Sequence, residues 1–234
     1  MASVRLTSIL LRVPLLCGAV LLTVLSQPAC AQGADDTLLP YAVSIHQTPM
    51  QSWGPGAGIY LGKGLFITAA HVAGRSWLTR PKIAIAGSEY PTRVVKEGSF
   101  EGTDLTLLSV EEELLPVRLR LRRNAICTDP PKPGQEVVTI VPNSAVRSHI
   151  LAPDRLPIET RKRFSTVIAD VARTGNSGSG VFDVKHKCLL GIMSRKISQS
   201  QTRLGAAKAE TRDIAKYFVP AAEIAAFLPA DLRL

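Results

Sequence analysis

Aromatic residues are scarce in this chain. Phe, Trp and Tyr fill 5% of its 234 positions, and 19 acids are outnumbered by 28 Lys and Arg, for a net charge of +9 with histidines neutral. A basic chain attracts anionic partners, yet no aromatic-interleaved basic motif, zinc knuckle or recognition-helix pattern accompanies the charge, so no nucleic-acid partner is expected. The GxxxxGK[ST] pattern of a phosphate loop is absent. No His/Cys cluster has zinc spacing, and neither a metal nor another cofactor is expected. There is no repeat of solenoid type.

Long apolar runs are missing too. The most apolar stretch, Val13 to Leu25, falls short of the roughly 20 residues that a membrane span needs. It follows Arg5 and Arg12 and ends in Ala29-Cys30-Ala31, the small-x-small pattern of a secretory cleavage site. Residues 1–31 therefore read as a signal peptide, which places the mature protein outside the cell or in the periplasm with no stable membrane span. An uncleaved anchor is one alternative. A lipid on Cys30 is another, although Gln27 and Pro28 fit poorly before it. Loss of residues 1–31 removes two arginines and no acid, which lowers the net charge to +7.

Of four cysteines, Cys127 and Cys188 lie beyond that cleavage site. In an oxidising compartment one disulfide would close a long loop and stabilise the fold. Two buried free thiols are the alternative.

What the chain has in quantity is turn residues, 17 glycines and 16 prolines, between short runs of Val, Ile, Leu and Thr. That pattern predicts many short strands and an all-β body. YAVSIH (41–46) alternates like a strand, and GAGIYLGKGLFIT (56–68) reads as a hairpin turning at Gly62-Lys63-Gly64. KIAIA (82–86), TRVVK (92–96) and DLTLLSV (104–110) follow. A Glu-rich break at 111–113 and Pro116 suggest a midpoint crossover, and VRLRLRR (117–123) alternates as a strand with one wet face. EVVTIV, STVIADV, GVFDV and CLLGIMS supply a second set. The polar stretch 197–213 reads as a long surface loop or a short helix within one. A last strand, YFV, precedes a helix that Pro220 opens and Pro229 stops.

Three residues carry chemical potential. His71 directly follows a strand, whereas His46, His149 and His186 lie in a polar-ended strand, a loop-like region and a turn. Asp104 stands between Gly102-Thr103 and an apolar strand, where its carboxylate can face a cleft or simply cap the strand. Ser177 lies in RTGNSGSGVF (173–182), with Gly175 and Gly178-Ser179-Gly180 around it. Acyl transfer by serine needs a base for the hydroxyl proton, a carboxylate to fix that base and donors for the oxyanion, and one candidate exists for each role.

TAAH (68–71), GTDLTLL (102–108) and GNSGSG (175–180), in the order His, Asp, Ser, resemble the trypsin/chymotrypsin-like serine peptidases, an order that separates them from the subtilisin and α/β-hydrolase arrangements. The compact spacing looks closest to the bacterial branches, the HtrA-type proteases and glutamyl endopeptidases. The resemblance implies a fold of two antiparallel six-stranded β-barrels with a C-terminal helix: one barrel over about 37–115, the second over about 116–219, the helix over 220–228. HtrA-type proteins add a PDZ domain; the 54 residues after position 180 suffice to finish the barrel and its helix, so none is expected. The resemblance further implies Ser177 as nucleophile, His71 as base, Asp104 as its orienting carboxylate, and the N–H groups of Gly175 and Ser177 as oxyanion hole. Protein or peptide substrates follow. A catalytically silent peptide-binding module and an esterase are the alternatives.

Departures from the family pattern bear on specificity. Asn176 stands where animal-type members carry the Asp that pairs with a newly freed N-terminus, so no such activation switch is expected. The pocket position six residues before the nucleophile is Val171, which argues against a demand for Lys or Arg. Met193 stands after Gly191-Ile192, where glutamyl endopeptidases place a histidine. With Val171, Met193, Ser194 and Arg195 as substrate-binding candidates, a medium-sized apolar residue is expected at the cut bond. Arg195 and Lys196 either favour an acidic group or are solvent-facing charges.

Overall fold

The structure, a computed structural model, describes residues 36–47, 56–169, 177–201 and 210–232. These residues belong to one compact unit, Gln32–Leu234. The expected signal peptide lies outside them, as do Val171, Gly175 and Asn176.

In chain order the first half contains β1 (Ala42–His46), β2 (Gly56–Gly62), β3 (Leu65–Thr68), the helical turn α1 (Ala70–Ala73), β4 (Lys82–Ile85), β5 (Ser88–Pro91), β6 (Arg93–Glu97), β7 (Thr106–Ser109) and α2 (Val117–Arg120). The second half contains β8 (Glu136–Val141), β9 (Ser144–His149), α3 (Ile158–Arg163), β10 (Val167–Ile168), β11 (Gly180–Asp183), β12 (Leu189–Gln201), β13 (Glu210–Pro220) and α4 (Ala221–Phe227). Among the described residues these strands make two antiparallel sheets, a seven-stranded one in the order β5-β4-β1-β2-β3-β7-β6 and a six-stranded one in the order β10-β13-β12-β11-β8-β9. The expectation of an all-β body with two antiparallel barrels and a C-terminal helix is borne out as two curled antiparallel sheets followed by α4, with seven strands rather than the expected six in the first sheet among the described residues.

Strand periodicity sorts most of the buried apolar side chains into three cores, beside a small fourth cluster of Leu156, Val167, Ile197 and Ala215. Along β2, β3 and β7, Ile59, Leu61, Leu65, Ile67 and Leu107 face the space between the sheets, where they meet Val138, Ile140, Phe182 and Ile192 of the second sheet. The intervening Tyr60, Phe66 and Leu108 point the other way, into the core of the first sheet, as a two-residue side-chain repeat requires. Val137, Val181, Leu190 and Phe218 do the same for the second. Strands buried on both faces read as continuous apolar runs, and each fully buried Ile, Leu or Phe contributes about 1.5–3 kcal/mol. Helix α4 closes the space between the sheets with Ile224 and Phe227, and Lys96 of β6 donates to the Phe227 carbonyl at 2.7 Å.

Cys127 and Cys188 are joined in a disulfide. It ties the segment before β8 to the start of β12, whose Leu189 also bridges Ile126.

Two expectations are corrected. The stretch 117–123 is no strand: Pro116, with φ near the value its ring imposes, caps the helical turn α2, and Leu119 alone is buried while Val117 and Leu121 stand in solvent. The alternation of Leu and Arg there matched a strand by composition only. In the polar stretch 197–213, expected as a long surface loop or a short helix within one, the described ends are strand: β12 and β13 extend outward as a pair that sets Ser198 against Asp213, Gln199 against Arg212 and Ser200 against Thr211, while residues 202–209 lie outside the described residues. Cross-strand polar bonds hold it, with Ser198 Oγ on Asp213 Oδ1 at 2.6 Å.

Candidate active site

The candidate site forms where the two sheets meet. At the end of β3 the chain leaves the sheet through Ala69 in extended conformation and enters α1, closed by Gly74 at φ +75°. Ala70, Val72 and Ala73 face the core, which turns the His71 ring outward, 30% exposed. The turn before β7 is pinned by Gly98 N–H on Leu105 O and Gly102 N–H on Ser99 O, and it delivers Asp104 at 1% exposure into the interior. No alternative role as a solvent-facing cap suits so buried a carboxylate.

His71 and Asp104 meet directly. Nδ1 of His71 lies 2.9 Å from Oδ2 and 3.1 Å from Oδ1 of Asp104, and the backbone N–H of His71 donates to Oδ1 at 3.1 Å. Across the sheet boundary, Ser194 Oγ donates to Oδ2 at 2.6 Å. Burial pushes the Asp104 pKa up, but the hydrogen bonds from the His71 ring, Ser194 and the His71 backbone, with the field of the ring, outweigh it and hold the carboxyl below its ordinary value. An ionised carboxylate only accepts, so Nδ1 of His71 is the donor in this pair, which leaves Nε2 unengaged by Asp104.

Ser177 sits on the other sheet, just before β11. Its carbonyl accepts from Ala57 N–H of β2, while Gly178 N–H donates to Met193 O and Met193 N–H to Ser179 O. The loop is thus held to both sheets. Gly178 has φ +84°, and a Cβ there would lie 1.9 Å from Ala57 O and 2.4 Å from Thr68 Oγ1; only glycine fits. Thr68 Oγ1 in turn donates to Ala57 O at 2.6 Å. Ser177 Oγ donates to Ser194 O at 3.3 Å, so Ser194 links Ser177 through its carbonyl and Asp104 through its hydroxyl. No hydrogen bond joins Ser177 to His71 among the described residues; hydrogen bonds of this kind are often long or misaligned before substrate tightens a site. Ser179 Oγ is sealed in the interior, which removes it as a nucleophile.

The remaining candidates divide. The Met193 side chain packs into the core of the second sheet, and its main chain braces the Ser177 loop. Ser194 is drawn into the site itself. Arg195 turns inward, with its guanidinium 3.9 Å from the centre of the Phe100 ring, whereas Lys196 pairs with Asp213 at 2.8 Å. Phe100 was not singled out by sequence, yet its ring meets that of His71 edge-on at 5.3 Å; a lone aromatic in the polar stretch GSFEGTD was the available signal. His149 and His186 are exposed; His149 lies 3.9 Å from exposed Glu136 and His186 3.4 Å from buried Asp183. A cavity of about 790 Å³ beside the disulfide is lined by none of the candidate site residues, and the cleft at His71 and Phe100 is smaller, about 160 Å³. The arrangement of chemical groups, not cavity size, marks the site.

Two curled antiparallel sheets, with a His–Asp pair on one and a glycine-cradled serine on the other, define a protein of the chymotrypsin-like fold. A model of the trypsin-like peptidase domain matches residues 56–192, and the chain belongs to that family. No curated protein matches its sequence. Among solved structures it is similar to the inactive form of the Rv3671c protease from M. tuberculosis H37Rv in a serine-to-alanine mutant, at 18% identity and TM-score 0.57 over 86% of this chain and 91% of that one. It is also similar to the serine endoprotease from Yersinia pestis, at 19% identity and TM-score 0.56 over 82% of this chain and 62% of that one. The HtrA-type protease AlgW with tripeptide aligns at 20% identity and TM-score 0.59 over 82% and 60%. No helix among the described residues is long and apolar enough to cross a membrane.

Proposed function

We propose that the protein is a secreted or periplasmic serine endopeptidase, exported through residues 1–31, with Ser177, His71 and Asp104 as its catalytic triad. The observation that carries this reading is the chain of bonds from the His71 ring to buried Asp104, from Asp104 to Ser194 Oγ, and from Ser194 O to Ser177 Oγ. Family membership and the likeness in fold support it.

The chemistry then runs as follows. Ser177 Oγ forms a bond to the carbonyl carbon of the substrate while its proton passes to Nε2 of His71. The carbonyl oxygen takes the electron pair and is held by the N–H groups of Gly175 and Ser177, each such donor typically lowering the barrier by a few kcal/mol. As the tetrahedral adduct collapses, the C–N bond breaks and the His71 proton goes to the leaving amine. Water repeats the sequence on the ester and frees Ser177. Asp104 keeps its negative charge and fixes the ring with Nε2 towards the serine. A medium-sized apolar residue at the cut bond is the reading that Val171 supports, whereas the Met193 side chain, buried in the core of the second sheet, takes no part in it, and Asn176 leaves no charge for an N-terminal activation pair.

Cleavage of an unfolded protein substrate by the mature chain, with the new N-termini sequenced, tests the reading. Wild type should cut and Ser177→Ala and His71→Ala should not. A folded wild type that binds peptides without cutting them overturns it.

A further inference from the structure

Resting on the peptidase reading above, we propose that Arg195 selects substrates with an acidic side chain, Asp or Glu, at one of the two positions that precede the residue at the cut bond. Arg195 and Lys196 are neighbours in sequence with opposite surroundings. Lys196 is neutralised by Asp213 at 2.8 Å, its side chain 45% exposed. Arg195 is half-buried and has no carboxylate partner among the described residues. Its guanidinium lies on the Phe100 ring at 3.9 Å and faces the Phe164 ring at 5.7 Å, and Phe164 is itself backed by Tyr217 at 4.9 Å.

Two of its five N–H groups are used, Nε on Ser194 Oγ at 3.3 Å and one on Nη2 to Phe100 O at 2.6 Å. Those bonds fix the plane of the guanidinium. Three N–H groups remain for a ligand. Aromatic faces remove water from the flat sides of the cation and leave its edge, the direction in which a carboxylate binds through two parallel hydrogen bonds.

The strand geometry places a substrate beside that edge. Beyond Met193, β12 pairs with β13 on one side, while β11 reaches only as far as Ile192 on the other. An extended peptide can therefore add along the open side. Its cut carbonyl must lie at Ser177 Oγ, which is bonded to Ser194 O. At about 3.3 Å per residue, the one or two residues preceding it along the strand run past Arg195.

The test uses internally quenched peptides built on a sequence the mature protein cleaves, with Asp, Asn or Ala at each of the two positions, assayed with wild type and Arg195→Gln. Fluorophosphonate labelling of both proteins is measured alongside. Wild type should favour Asp over Asn and Ala at one position by about tenfold in kcat/KM, and the variant should lose that ratio. Labelled wild type with no acidic preference, or a preference that persists in Arg195→Gln, overturns the inference and leaves the peptidase reading standing. So does an equal loss on all three peptides with the ratio kept, which would make Arg195 a positioning residue for Ser194 and Asp104. Folded wild type that is not labelled overturns both.

Discussion

Substitution of Gly178 by alanine separates backbone strain from steric displacement at the Ser177 loop. Gly178 has φ +84°, and an added Cβ would stand 1.9 Å from the Ala57 carbonyl oxygen, part of a strand held on both sides, and 2.4 Å from Thr68 Oγ1. The left-handed backbone alone costs an alanine about 1–2 kcal/mol. Relief of the overlap requires a shift on the order of 1.5 Å, since ordinary contact begins near 3.4 Å and packed interiors do not yield cheaply. The adjacent Ser177 carbonyl is bonded to the same Ala57, so the displacement reaches the proposed nucleophile. A misplacement of about 1 Å at reacting groups costs roughly 10²-fold. Gly178→Ala should therefore react with a fluorophosphonate about 10²-fold more slowly than wild type and lose more stability than the backbone penalty explains. Gly87→Ala is the control, because Gly87 has φ +85° with nothing within 4 Å of the added carbon. It should lose about 1–2 kcal/mol and label at the wild-type rate. Wild-type labelling by Gly178→Ala would refute the claim that this loop is held by close packing against β2.

Other perturbations address the carboxylate and the disulfide. Asp104→Asn keeps the shape but cannot hold the proton on Nδ1, and the cleavage rate should fall by up to about 10⁴-fold at neutral pH. Because the folded pKa of Asp104 lies below its ordinary value, its ionised form supports the fold above the unfolded carboxylate range near 3.9, and that support is lost as pH falls through the lower folded value. Acid titration of wild type against Asp104→Asn should show the stability difference constant above about pH 5 and shrinking below about pH 4; a difference that grows on acidification contradicts the stated sign. Reduction of Cys127–Cys188, which closes a loop with sequence separation 61, should cost about 4 kcal/mol on chain-entropy grounds and lower Tm by roughly ten degrees. An unchanged Tm after complete reduction would show that this bridge does not restrain the unfolded chain.

Legibility in the sequence followed burial. The β2–β3 hairpin and α4 were readable because apolar runs bounded by Gly62-Lys63-Gly64, and by Pro220 and Pro229, state both the element and its limits. Strand β8 was readable for the same reason. The distal hairpin of β12 and β13 was not. Its side chains at Ser198, Gln199 and Ser200 face solvent, so no apolar period marks it, and its pairing depends on partners distant in sequence. Around 117–123, Leu and Arg alternate without alternating in burial, and Pro116 decided the local geometry instead. At the candidate site, His71, Asp104 and Ser177 could be singled out from sequence because the proposed chemistry demands those side chains in motifs, and the His71–Asp104 contact is present in the structure. The contacts of Thr68, Phe100 and the Ser194 hydroxyl could not, since each exists only across 11 to 95 residues of chain.

Mapping of a fluorophosphonate adduct on the mature protein tests the catalytic assignment most directly. The account predicts a single adduct on Ser177, absent from Ser177→Ala and His71→Ala and still formed in Ser179→Ala. A folded wild type that forms no adduct, or an adduct that persists in Ser177→Ala, contradicts it.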